Sequence, residues 1–150
     1  MSRDHPHAGL LKLRTWQRDQ SAAIVLSTIR EIQELTDRIR GLSQDIQMWS
    51  QQRREFQAGI VKLQRWRDNE TYRLKLIDQK NALLLELQSL EDRLEAERLM
   101  LLGHETELKQ VQKIIEHAQT AKETKERSCE QSRLDEWAGV QARISRTTRP

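Results

Sequence analysis

From Ile32 onward, apolar residues return at alternating steps of three and four: Ile32, Leu35, Ile39, Leu42, Ile46 and Trp49, continuing through Arg53 to Phe56, Ile60 and Leu63. The mean step is 3.5, the period at which two helices bury one shared seam in a left-handed coiled coil. A second run follows: Leu83, Leu87, Leu90 and Leu94, then Leu101, Leu108, Val111, Ile115 and Ala118. Its weak positions are Glu97 and His104. Between the runs, Leu74 and Ile77 belong to a shifted phase. That break, with Gly59 and the polar stretch RDNET (67–71), predicts a chain reversal. Asn69 is placed to cap a second helix and Glu70 to suit its first turn.

The expected fold is all-α: a long antiparallel two-helix coiled-coil hairpin with a C-terminal helical overhang, forming one domain over residues 1–150. Helix one is expected over about 9–57, the turn region over about 58–70, and helix two over about 70–143. An arm of ~55 residues is roughly 80 Å long. The competing arrangement is an intermolecular coiled coil of uninterrupted helices. Because the two apolar runs can satisfy each other within one chain, the hairpin predicts a monomer.

The overhang follows from arm lengths. A reversal centred between 60 and 69 leaves nothing in helix one to face residues 134–146. The seam positions after Ala118 are Lys122, Lys125, Cys129 and Ser132, which are poor knobs. Leu134, Trp137, Val140 and Ile144 then form a short apolar stripe with no internal partner. Such stripes mark interaction sites.

Composition agrees with a thin seam. Hydrophobic residues are 36% of the chain and charged residues 33%, too polar a mixture to fill a thick core. The two prolines stand at positions 6 and 150, so no ring interrupts a helix between them. No apolar run approaches the ~18 residues of a membrane span, so no direct membrane insertion is expected. The first residues lack the apolar core of a secretory signal. The single cysteine, Cys129, has no internal partner for a disulfide, which fits a reducing cytoplasm.

Charge is uneven. Residues 86–107 carry seven acids against two arginines, and residues 53–75 carry seven basic residues against three acids. After Glu136 no acid remains, while Arg143, Arg146 and Arg149 follow. Basic ends around an acidic middle point to contacts at the ends. The acidic middle and the lack of a recognised module argue against nucleic acid as a partner.

No catalytic constellation, cofactor motif or metal set is present. His5 and His7 are two apart near the start of the chain; His104 and His117 are thirteen apart and cannot share an ion on one helical turn. No glycine-rich phosphate loop occurs. Paired acids such as Glu91 and Asp92 face solvent, and a two-helix fold offers no pocket to exclude water. An enzyme is not expected.

Three stretches carry a family resemblance. LLKLRTWQRDQSAAIVLSTIREIQEL (10–35) resembles the opening helix of the flagellar export protein family FliJ, which starts with a leucine pair and a Leu-Arg. FQAGIVKLQRW (56–66) followed by YRLKLIDQ (72–79) is similar to that family's hairpin region. RLDEWA (133–138) is similar to its C-terminal signature. In order and spacing they cover nearly the whole chain. One departure is the start, where RDHPHAG replaces an aromatic-rich segment.

The resemblance implies a stalk of the flagellar type III export apparatus, and with it flagellum assembly, motility and chemotaxis. It implies a cytoplasmic protein, peripheral at the inner membrane's cytoplasmic face. Its partners would be the export ATPase ring, the cytoplasmic domain of the export gate, and export chaperones. A generic coiled-coil scaffold, or the related stalk of virulence secretion systems, is the alternative. The ends bearing Trp137, Arg143 and Arg146 would meet the ATPase. By motif position, Trp49, Tyr72 and Leu76 are candidates for gate or chaperone contacts. Trp49 also falls on the seam, where a packing role is preferred.

Overall fold

The computed structural model describes residues 5–57 and 63–148, with the backbone alone for Phe56 and Gln57. These residues form two helices and no strand: α1, Ala8–Gln57, and α2, Leu63–Thr147. They pack antiparallel, as a hairpin. Cross-helix pairs have residue numbers adding to between 119 (Arg53 with Trp66) and 125 (Thr28 with Glu97). The described residues divide into two parts: 17–104, and 5–16 with 105–148.

In residues 17–104 the seam is longer and more regular than the apolar pattern suggested. On α1 it extends back from Ile32 through Thr28, Val25 and Ser21, all three buried. On α2 it keeps its three-four alternation without a break: Trp66, Asn69, Arg73, Leu76, Lys80, Leu83, Leu87, Leu90, Leu94, Glu97 and Leu101 are buried or half-buried. The expected phase shift at Leu74 and Ile77 is therefore corrected. Leu74 is exposed and Leu76 holds the seam. The mismatch arose because Trp66, Asn69, Arg73 and Lys80 are not aliphatic, so the pattern loses sight of them.

Helix α2 begins earlier than expected. Leu63 was expected to close the first run, but it opens α2 and is exposed. Asn69 is not a cap: it lies inside α2 and is buried. Of the expected turn region of 58–70, residues 63–70 belong to α2, and residues 58–62 lie outside the described residues. Gly59 and Ile60, and the side chain of Phe56, lie outside the described residues.

The weak seam position Glu97 has a partner. Thr28, buried to 1% exposure, donates its hydroxyl to Glu97 Oε2 at 2.6 Å. Arg93 lies 2.8 Å from Glu31 across the helices and 3.4 Å from Glu97 along its own. A buried hydroxyl and a seam carboxylate thus satisfy each other, which keeps their burial affordable.

In residues 5–16 and 105–148, α1 starts on a turn made by His5. Its carbonyl accepts from the Ala8 N–H at 2.8 Å, and its Nδ1 accepts from the His7 N–H at 3.2 Å. Pro6 stands beside this start, where a missing N–H costs nothing. The seam closes with Leu108 and Val111, both buried, and Ile115, half-buried. Arg14 is paired to Glu107 at 2.7 Å. Beyond Ile115 every described residue is exposed, including Ala118, which was expected to close the seam.

The overhang stays helical to Thr147 on local interactions. Its sequence is rich in Ala, Lys, Glu, Gln and Arg, all good helix formers. Gln131 donates to Asp135 four residues on, at 3.2 Å. Arg146 lies in the last turn, where its charge complements the helix dipole. Neither helix has a stretch apolar enough and long enough to cross a membrane.

Candidate partner-binding sites

Two clusters on this frame have side chains suited to a partner. The first lies on the last described turns of α1 and the first of α2. Trp49 and Tyr72 meet across the helices with ring centroids 4.8 Å apart and planes tilted by 57°. Such offset geometry suits the ring quadrupoles. Tyr72 is exposed and Trp49 half-buried. Trp49 therefore belongs to the seam and still presents an edge.

From this pair toward the reversal, the described seam positions Arg53, Trp66, Asn69 and Arg73 are not aliphatic. The Arg53 guanidinium lies 5.7 Å from the Trp66 ring centroid, a cation–π contact. It also approaches Glu70 at 3.6 Å. Arg73 grips the same carboxylate from within α2 at 2.7 Å. The hydrogen bond from Arg73, joined by the charges of Arg73 and Arg53, holds the Glu70 carboxyl below its ordinary range despite partial burial. The same bond raises the Arg73 guanidinium.

Asn69, 4% exposed, has no hydrogen-bond partner for either its Oδ1 or its Nδ2. A buried amide in that condition destabilises its surroundings. Arg53, Trp66, Asn69, Glu70 and Arg73 were not singled out from the sequence as one cluster. The available signal was the three-four count carried backward from Leu83 without regard to residue type.

Leu76, expected as a contact residue, is 5% exposed and packs in the seam. Its placement as a surface contact is corrected: its heptad position points it at α1. Trp49 and Tyr72 remain accessible in part.

The second cluster is the stripe on the overhang. Leu134, Trp137, Val140 and Ile144 are all more than half exposed, with Trp137 at 63%. Steps of three, three and four put them on one face of α2. Arg143 and Arg146 are exposed beside them. Arg149 lies outside the described residues. Nothing from α1 reaches this face, because α1 starts at Ala8 and the seam ends at Ile115.

Among the described residues, no group of three or more His, Cys, Asp or Glu side chains could hold a metal ion. The surface has open grooves, such as the one over Gly41 and Ala82 between Arg38, Asp45 and Gln79. This arrangement suits large partners, which are recognised by exposed anchors set on a stiff support.

Comparison with curated proteins gave no match, and comparison with solved structures gave none. Comparison with protein-family models gave a match to the flagellar FliJ protein over residues 7–147. That span takes in both helices, the aromatic cluster and the overhang. The chain therefore belongs to the FliJ family of flagellar export proteins.

Proposed function

We propose that this chain is a non-enzymatic stalk of the flagellar type III export apparatus, linking the export ATPase ring, the cytoplasmic domain of the export gate, and export chaperones. In this reading the overhang binds the ATPase. Trp137 is its anchor, Leu134, Val140 and Ile144 extend the apolar contact, and Arg143 and Arg146 add charge attraction. The observation that carries it is the exposed stripe at the end of a family-matched chain. Trp is the residue type most enriched at binding hot spots, where truncation costs ~2 kcal/mol or more. Trp49 and Tyr72 serve the gate or the chaperones. The protein works in the cytoplasm and is held at the inner membrane through its partners.

The test uses Trp137→Ala and the purified export ATPase. Circular dichroism is expected to show unchanged helicity and melting, because the side chain is 63% exposed on the overhang. Binding titration is expected to show at least tenfold weaker affinity. Raising salt should weaken the wild-type complex, since exposed arginines act through screened charge. Wild-type affinity in the variant, or no ATPase binding by the wild-type chain, defeats this reading.

A further inference from the structure

The seam is not equally strong along its length. From Ile32 to Ile46 on α1, and from Leu76 to Leu94 on α2, every seam position except Lys80 is aliphatic. Toward the reversal the described positions are Trp49 and Arg53 on α1, and Arg73, Asn69 and Trp66 on α2. Of these only Asn69 is buried, and the others are half-buried. A coiled coil draws its stability from buried aliphatic side chains, and this section has none.

The polar groups enclosed here are poorly satisfied. Asn69 Oδ1, Asn69 Nδ2 and Arg53 Nε are all buried without a hydrogen-bond partner. Arg53 stands at the level of Asn69 in the register set by Trp49 with Tyr72 and by Arg53 with Glu70. The three atoms therefore belong to one place in the seam. Each carries the desolvation penalty of a buried polar group left unpaired.

Separating the helices at this level breaks little. The contacts across it are the Trp49–Tyr72 ring pair, the Arg53–Trp66 cation–π contact and the Arg53–Glu70 ion pair at 3.6 Å. The ion pair is partly open to water, which screens its attraction. Arg73 grips Glu70 from within α2, so the carboxylate keeps a partner after separation. The Asn69 amide and Arg53 Nε regain water. The same separation further along would expose Leu35, Leu76 and Leu94, all buried.

We infer that this section of the hairpin opens as a unit of its own, while the seam from Ile46 and Leu76 onward stays closed. Asn69 sets how easily it opens. Each freed stretch is about ten residues long, too short to hold a helix without packing, so opening also melts helical hydrogen bonds. Local units of this kind open below the free energy of global unfolding. The Trp49–Tyr72 pair then exists in two states, joined and separated. A partner that prefers either state shifts the balance between them. The device acts near the reversal and leaves the aliphatic seam and the overhang as they are.

Amide hydrogen exchange of the full chain, followed by mass spectrometry, tests the opening. In the wild type, residues 49–57 and 63–73 are expected to exchange together, at least tenfold faster than residues 32–46 and 80–94. Asn69→Leu is expected to slow exchange of the first group by roughly tenfold, since it removes the unpaired amide. Leu94→Val weakens the aliphatic seam and keeps an apolar side chain there. It is expected to speed exchange of residues 32–46 and 80–94 and to leave the section near the reversal unchanged. Circular dichroism checks that both variants keep the wild-type helicity. Equal protection of the two groups in the wild type would show that the hairpin opens only as a whole. A uniform speed-up by Leu94→Val would show the same. Unchanged exchange of residues 49–57 and 63–73 in Asn69→Leu would remove Asn69 as the group that sets the opening. Any of the three overturns the inference.

Discussion

Leu108 and Leu134 are the same residue type in the same helix, and they live in opposite surroundings. Leu108 is 4% exposed and Leu134 is 59% exposed. Both sit in continuous α-helix, so helix formation does not depend on burial here. The difference lies in what stands opposite. Leu108 faces the first turns of α1, and Leu134 lies beyond the reach of α1. The same apolar side chain is a core residue in one place and an anchor awaiting a partner in the other.

The strongest way to break that comparison is to truncate both. Leu108→Ala is expected to cost about 2–5 kcal/mol, as for other buried leucines. Leu134→Ala is expected to change stability by no more than ~0.5 kcal/mol. Urea titrations followed by circular dichroism measure both. Equal losses would mean that the overhang is covered within the chain.

A smaller effect of opposite sign is expected at Asn69. This buried amide has unsatisfied Oδ1 and Nδ2 atoms. Asn69→Leu removes both and adds an apolar knob to the seam. Stabilisation of about 1–3 kcal/mol is expected, the usual penalty of an unsatisfied buried group. A lower urea midpoint in the variant would show that the amide is satisfied in solution. The comparison then sharpens: Leu108 stabilises its part of the seam, whereas Asn69 gives up stability in its own.

The smallest expected effect concerns acid. The Glu70 carboxyl is held low, first by its hydrogen bond from Arg73 and then by the charges of Arg73 and Arg53. A carboxylate with a depressed folded-state pKa adds stability that is fully present above its ordinary value. That stability is lost as pH falls through the lowered one. Glu70→Gln should therefore flatten the decline in stability below about pH 4, with little change near neutrality. Melting temperatures measured between neutral pH and acid follow this directly.

Much of the fold was legible because the period of Leu and Ile is a geometric signal. Steps averaging 3.5 along Ile32–Trp49 and Leu83–Ile115 fit only a supercoiled helical seam. The overhang was legible from arm lengths. Reading apolar identity alone failed at the start of α2, where Trp66, Asn69 and Arg73 take seam positions. A polar side chain can fill such a position when an ion pair or ring meets it, and residue type does not announce that. The same reading missed Ser21, Val25 and Thr28 at the other end of the α1 seam. Thr28 is tolerated there because Glu97 accepts a hydrogen bond from its hydroxyl.

The sequence by itself determined that this protein is two long helices with an exposed C-terminal stripe. Its heptad spacing, its lack of internal proline and the uneven lengths of its apolar runs leave little else. Only the tertiary structure decided the register. Which residue of α1 lies opposite which residue of α2 depends on pairings between distant positions, such as Thr28 with Glu97 and Arg53 with Glu70. That register buries Leu76 and Asn69 and leaves Ile24 and Met100 facing solvent. Period fixes which face of a helix is apolar, but the partner helix decides how much of that face is covered.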